Sequence, residues 1–457
     1  MLGLTAMTGT SAPRKVARSR RPTMETTTQV ARFPVADLEG LLWYIAEQPP
    51  PAAAVEATKL ALQGCGTWRL RNHGIFEEQF CQLRKAGQQF FDRPADHKWP
   101  YAVAWMERSR GWEMYPQHRQ HHLATMAQGA IDYDAHAEPS ALEGILCERF
   151  VCGPPSICNT PIARPFNPFY DSPYARVFYE RNVWPEEGEL RPCMECLYPQ
   201  MEHIAKAALQ CVAAALDVPH DVFDQLVSSS SAAHPNAPCR HHSRMQLNNY
   251  PSQLFGGSGS SQKRSRHGKQ MPIRASRHFD TSLLTVLARE PRTEKLHSSP
   301  GRSGALEVRM SAQHDPHEEW RCVPAESGEL TCFLGALIST LSGFTLQGTT
   351  HRVTNPACAW ASDSRRMSLG FVLKPDYTAP AALPVTLPGY SALVAHAAET
   401  AQYEVPPIGL MGRIGWQSYM MQTKGISRVE AMATYKTWKA KALSELKGFY
   451  AANAGRH

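Results

Sequence analysis

From Arg244 to Leu373 the chain reads as a series of short strands broken by turn signals, and this limits its fold more than any other feature. Met245-Gln246-Leu247-Asn248-Asn249-Tyr250 alternates like a strand and is closed by Pro251. Further strand signals fall at 281–287, 305–310, 319–323, 329–334, 337–341, 348–353 and 366–373, divided by residues such as Gly301, Gly304 and Gly343. Many short strands in series predict a sandwich or a jelly-roll barrel. Upstream the period is helical, at 52–63, 79–91 and 195–216, the last with Ile204, Ala207, Ala208, Cys211 and Val212 on one stripe. A second short helical segment is expected at 220–226, and a C-terminal helical pattern runs over 429–450. The expected class is α+β, mainly β. Four regions follow: a basic leader (1–29), a helical and irregular region (30–240), a β core (241–375) and a helical extension (376–457).

At the mouth of the 281–287 strand signal stands His278-Phe279-Asp280. Residues i and i+2 of an extended chain share a face, so His278 and Asp280 are expected to point into one cavity while Phe279 packs on the other side. An imidazole and a carboxylate suit a divalent metal such as Fe(II) if a third ligand joins them. The pair alone is unspecific: His136-Ala137-Glu138 and His317-Glu318-Glu319 offer similar spacing in a chain with 19 histidines. A later strand signal carries His351, however. Fifteen residues further on, Arg366-Met367-Ser368 places a guanidinium and a hydroxyl on one strand face. His-x-Asp, His and Arg-x-Ser, in that order and each in strand context, form a rarer pattern than any one part.

Other candidates read better as structure. His73 lies in a turn-forming Asn72-His73-Gly74. His118, His121 and His122 have no carboxylate beside them and suit a solvated or substrate-side loop. Cys193 and Cys196 have redox or zinc spacing but no second pair, so a structural thiol pair is expected. The 12 cysteines of this 457-residue chain form no framework, which predicts reduced thiols inside a cell. A net charge of +7 with scattered basic residues argues against nucleic acid, and no apolar run is long enough to span a bilayer. The leader carries Arg14, Lys15, Arg18, Arg20 and Arg21 with no acid before Glu25. That leaves a cytoplasmic and a mitochondrial location both open.

These residues resemble the isopenicillin-N-synthase-like branch of the non-haem Fe(II), 2-oxoglutarate-dependent dioxygenases. The resemblance spans most of 30–375. It includes Trp68 to Ile75, Phe90-Phe91-Asp92-Arg93-Pro94, Asn182 to Pro185, Asn248-Asn249-Tyr250-Pro251, and Gly335 with Leu337. It implies a double-stranded β-helix core at 241–375. It also implies Fe(II) held by His278, Asp280 and His351, and the distal carboxylate of 2-oxoglutarate held by Arg366 and Ser368 with help from Tyr250. Fe(II) and 2-oxoglutarate would be the cofactor and co-substrate, with ascorbate a further candidate. Dioxygen and a small molecule would be the other partners, and the oxidation of the small molecule would be coupled to release of succinate. Of Arg365 and Arg366, strand register with Ser368 favours Arg366 as the inward one. Ala336 departs from an acid usual after the late glycine and is expected to touch no ligand. The segments 255–270, 290–304 and 352–365 look longer than typical.

Two rivals stand beside this reading. One is an Fe(II) oxidase of the same fold that does not use 2-oxoglutarate, either isopenicillin-N-synthase-like or ascorbate-dependent. The other is a silent barrel used for binding.

Overall fold

The computed structural model describes residues 33–103, 110–113, 147–155, 181–227, 241–250, 273–290, 306–310, 320–341, 346, 348–354 and 365–375, together with 430 and 433. The expected leader and most of the expected C-terminal helix lie outside these residues. The strands are β1 (Val35–Asp37), β2 (Thr67–Arg71), β3 (Gly111–Glu113), β4 (Glu148–Cys152), β5 (Arg244–Tyr250), β6 (Ile273–His278), β7 (Leu284–Arg289), β8 (Leu306–Arg309), β9 (Trp320–Cys322), β10 (Leu330–Leu334), β11 (His351–Thr354) and β12 (Arg366–Leu373). The helices are α1 (Leu42–Ile45), α2 (Ala52–Gln63), α3 (Glu77–Phe91), α4 (Ala95–Lys98), α5 (Leu190–Ala215) and α6 (Ala336–Leu341).

An eight-stranded sheet runs β1-β2-β10-β7-β12-β5-β4-β3, and a four-stranded sheet runs β6-β11-β8-β9. All pairings are antiparallel except β1 with β2. Strands from both sides of residue 240 share the larger sheet. Its strands alternate cleanly. Met367, Leu369, Phe371 and Leu373 of β12 align with Leu247 and Met245 of β5 and with Ala288, Val286 and Leu284 of β7, all buried. This apolar face takes α5, whose buried Tyr198 ring lies 5.1 Å from that of Phe371. Helix α3 approaches closely enough that a Cβ on Gly87 would come within 2.5 Å of the Leu247 side chain. Side chains of the opposite face (Arg244, Gln246, Asn248 and Tyr250 on β5; Thr285 and Leu287 on β7) look across a cavity at the smaller sheet.

Several expectations need correction. Residues 337–341 form α6 rather than a strand, because the chain turns where Gly335 and Ala336 donate to the carbonyls of Leu283 and Asp280. Strand β7 starts at Leu284 rather than 281, and β6 before it was not anticipated. Helix α5 starts at Leu190 rather than 195; Pro192 falls in its first turn, where a missing N–H costs nothing, and Pro199 is accommodated inside. The 220–226 segment is turns ending in a 3₁₀ turn, Asp224–Leu226.

Candidate metal centre and its cavity

His278 is the last residue of β6 and His351 the first of β11, and the two are directly paired across the smaller sheet. Their ring centroids are 4.2 Å apart. Asp280 follows in the connection to β7, so the chain leaves one sheet at His278 and joins the other at Leu284. The expectation of a single strand carrying His278 and Asp280 is therefore corrected: a turn between sheets brings them together. Phe279, expected to pack on the other side, is 51% exposed and stands at the lining of the same cavity. One ligand atom from each of His278, Asp280 and His351 lies within 4.8 Å of the other two. Among the described residues no other group of three or more His, Cys, Asp or Glu side chains gathers in this way.

The turn is built tightly. Ala336 N–H donates to the Asp280 carbonyl at 2.7 Å, Gly335 N–H to Leu283 at 2.9 Å, and Leu337 N–H to Ser282 at 2.9 Å. A Cβ on Gly335 would stand 2.1 Å from the Ser282 carbonyl oxygen, so only glycine fits. Ala336 thus does touch a candidate ligand, through its backbone, contrary to expectation.

Burial opposes ionisation of Asp280, but His351, His278, the Thr285 hydroxyl and Arg244 outweigh it and hold the carboxyl below its ordinary value. Thr285 Oγ1 donates to Asp280 Oδ2 at 2.6 Å. Burial, with His278 nearby, pushes His351 down despite the pull of Asp280, which favours the neutral imidazole. Its Nδ1 lies 3.0 Å from the Thr349 carbonyl. A carbonyl can only accept, so Nδ1 carries the proton and Nε2 keeps its lone pair. An ionised carboxylate and a histidine with a free nitrogen, joined by a second imidazole, are the donor set that a divalent first-row metal takes. The residues present fit such an ion.

These three side chains line a cavity of about 320 Å³ between the sheets, together with Tyr250. A smaller pocket of about 60 Å³ shares Tyr250, Leu287, Leu306 and Val353 with it and adds Arg366, Ser368 and Arg274. Arg366 is paired with Tyr250 and Ser368 with Asn248 across β12 and β5, so all four project to one face. Asn248 Nδ2 donates to Ser368 Oγ at 3.2 Å. Burial, with Cys147 close by, raises the Tyr250 phenol, which stays protonated and able to donate. Arg365 is turned to the other face, donating to Asp92 at 2.6 Å and Asn249 at 3.1 Å. Three further cations line the cavity, and the sequence reading passed over them: Arg149, paired with Asn248, and Arg244 and Lys374 toward the opposite end of β5 and β12. Two of them lay in plain alternation: Arg244 heads the row Arg244, Gln246, Asn248, Tyr250, and Lys374 extends the row Arg366, Ser368, Gly370, Val372.

The remaining candidates separate. His73 is buried, and its Nδ1 accepts the Ile75 N–H at 3.2 Å, a turn contact. Cys193 and Cys196 sit on α5, and the nine described cysteines are all free thiols. His118, His121, His122, His136, Glu138, His317, Glu318 and Glu319 lie outside the described residues. Among those described, no helix is long and apolar enough to cross a membrane.

Comparison with known proteins finds chains and folds similar to this one. Residues 33–143 match the family described as non-haem dioxygenase in morphine synthesis, N-terminal. Validamycin A dioxygenase of Streptomyces hygroscopicus subsp. limoneus is 26% identical over 358 residues, covering 77% of this chain and 80% of that protein. A 2-oxoglutarate-dependent dioxygenase of Aspergillus rugulosus, ecdK, is 23% identical over 320 residues, covering 68% and 79%. Among solved structures, a full-length Neurospora crassa protein in complex with alpha-KG superposes with a TM-score of 0.53 at 18% identity, covering 82% of this chain and 93% of that one. A 2OG-Fe(II) oxygenase family protein from Caulobacter crescentus gives 0.50 at 17%, covering 76% and 88%. The similarity to these named dioxygenases makes the chain an oxidoreductase of the dioxygenase class. Over most of its length the chain is similar to 2-oxoglutarate-dependent dioxygenases, and its N-terminal part matches a non-haem dioxygenase family model.

Proposed function

We propose that this chain hydroxylates, desaturates or cyclises a small organic molecule, with 2-oxoglutarate converted to succinate and CO2. In this reading the two sheets are the halves of a double-stranded β-helix. His278, Asp280 and His351 hold Fe(II), while Arg366, Ser368 and Tyr250 hold the distal carboxylate of 2-oxoglutarate. The observation that carries it is the convergence of His278, Asp280 and His351 on the cavity that Tyr250 joins to the Arg366 pocket. Relatives point to small substrates: one is named for validamycin A, and the Neurospora crassa protein has been crystallised with thymine.

The residues divide the work. Asp280 supplies a negative charge that Thr285 orients, and His351 supplies a nitrogen whose direction Thr349 fixes. Held by these three residues, Fe(II) would supply the oxidising chemistry, with a 2-oxo acid and dioxygen as its co-substrates. Arg366 offers a guanidinium fork to a carboxylate, with the Ser368 hydroxyl and the protonated Tyr250 phenol as further donors. Phe333, whose ring lies 4.5 Å from that of His351, and Leu306 are apolar walls that limit water there.

The test is an anaerobic titration of the apoprotein with Fe(II) and then 2-oxoglutarate, followed by the visible charge-transfer band of a chelated 2-oxo acid. A band that weakens in Arg366→Ala and disappears in Asp280→Ala supports the assignment. Iron binding without a band would favour the oxidase reading. No iron binding would sink the enzyme reading.

A further inference from the structure

We infer that Arg274 is a further binding residue for 2-oxoglutarate, meeting the distal carboxylate from the smaller sheet while Arg366 and Ser368 meet it from the larger. This rests on the oxygenase reading and adds a residue to it.

Arg274 lies in β6, four residues before His278, and is buried. An irregular strand turns it inward. His351 pairs with His278, Val353 with Ala275 and Thr354 with Ile273, so β6 takes five steps where β11 takes three. Such bulges re-aim side chains beside functional sites. The neighbours Arg274 and Ala275 accordingly both border interior space, Ala275 the metal cavity and Arg274 the pocket of Arg366 and Ser368.

At about 60 Å³ that pocket admits a group of a few heavy atoms. Tyr250, Leu287, Leu306 and Val353 border both it and the metal cavity. Three apolar side chains at the junction suit the methylenes of 2-oxoglutarate, with polar groups at either end. The Arg274 guanidinium carbon stands 5.9 Å from the centroid of the Tyr250 ring, and Tyr250 is paired with Arg366 across β5 and β12. Guanidinium groups from facing sheets thus border one small pocket, with Tyr250 common to both. The other charged side chains there have structural work. Arg289 donates to the Val323 and Pro324 carbonyls and to Thr331 Oγ1. Glu290 accepts the Met367 N–H at 3.4 Å, and burial raises its carboxyl against the pull of Arg84 and Arg366. Arg366 therefore already faces an acid, and an incoming anion would be held better with a second guanidinium on the far side. A planar fork on each side of a carboxylate would fix its plane as well as its position.

The test follows binding, not turnover, in the full chain loaded with Fe(II) under argon. 2-Oxoglutarate is titrated by the charge-transfer band, and so is 2-oxopentanoate, which keeps the chelating head and chain length but ends in a methyl group. The parent should prefer 2-oxoglutarate by about a hundredfold or more. Arg274→Met should cut that preference about tenfold or more while leaving 2-oxopentanoate binding within about twofold. Arg274→Lys keeps the charge but loses the fork; it should cut the preference about threefold and carries the test if Arg274→Met does not fold. In a Tyr250→Phe background Arg274→Met should act by a similar factor. Two acids that weaken in step, or an effect that vanishes in the Tyr250→Phe background, would overturn the contact and leave Arg274 a prop for the fold or for the phenol. If 2-oxoglutarate gives no band in the parent, the oxygenase reading fails first and the role of Arg274 falls with it.

Discussion

The two faces of the larger sheet handle buried charge in opposite ways. On the helix side, Glu148 accepts from Lys98 Nζ at 3.0 Å, Trp112 Nε1 at 2.8 Å and Asn249 Nδ2 at 2.9 Å, and Lys98 also donates to the Phe91 carbonyl at 2.9 Å. Each charge is answered by a neighbour, and the cluster joins α4, β3, β4 and β5 into one block. On the cavity side, Asp280 faces two histidines, and Lys374 has no ion-pair partner among the described residues. A buried charge answered within the protein serves the fold, whereas one left open serves a ligand. Mutations on the two faces should therefore fail in different assays.

The largest effect is expected at Asp280. Asp280→Ala should cut iron binding and turnover by more than about a hundredfold, since even the outer partners of metal ligands are worth 10- to 100-fold. Its apoprotein should lose less stability than that of Glu148→Ala, because the His351 it faces is held toward the neutral form by burial, whereas Lys98 would be left as a buried ammonium. Metal analysis and urea unfolding of the same preparation check both halves; a strongly destabilised apoprotein would remove the contrast. Glu148→Ala should show the reverse, losing about 3–5 kcal/mol by leaving the Lys98 ammonium buried and unpaired. Arg366→Ala comes next. Charge-assisted hydrogen bonds of about 1.5–3 kcal/mol predict a ten- to hundredfold rise in the KM for 2-oxoglutarate, with Arg366→Lys recovering only part.

The same contrast explains what could be read before the structure was known. β5 and β12 were legible because apolar residues on one face alternate with polar ones on the other, a pattern that local sequence carries in full. The order of His278, Asp280, His351, Arg366 and Ser368 was legible for the same reason, and the structure gathers the first three within 4.8 Å of one another. α6 was not, since Leu337-Ile338-Ser339-Thr340-Leu341 is as strand-like as its neighbours. What turns it is a pair of N–H groups bonded to the Leu283 and Asp280 carbonyls, some fifty residues away. β6 was missed because Arg274 sits in it and is only 1% exposed, a placement no polarity pattern anticipates. The parallel pairing of β1 with β2, and the parting of β6 from β7 into different sheets, are decided by tertiary contacts alone.

A smaller effect tests the helix side by pH. Burial raises the Glu202 carboxyl, but His241 at 3.0 Å and Lys206 at 2.9 Å outweigh it and leave its value well below normal. Its contribution is therefore complete above the ordinary carboxylate value near about 4.3 and is lost as pH falls below that toward the folded value. The parent should lose on the order of 2 kcal/mol more than Glu202→Gln between pH 5 and pH 3, by denaturant unfolding. Equal losses would mean that Glu202 is not ionised against its partners.

The smallest effect probes the boundary between the two regimes, at Thr285. An ionised Asp280 can only accept, so Thr285 must donate to it, and the Thr285 oxygen is then free to accept from the Ser282 hydroxyl 3.3 Å away. Ser282 is in turn pressed by Gly335, where an added Cβ would come within 2.2 Å of its Oγ. A chain of contacts thus runs from the α6 turn to one oxygen of the candidate ligand. Thr285→Val keeps the shape and deletes the donor, and should weaken iron binding about tenfold with little change in unfolding. Thr285→Ser keeps the donor and should restore it. If both variants bind iron like the parent, Asp280 is positioned by its backbone bond to Ala336 alone, and the hydroxyl belongs to the fold after all.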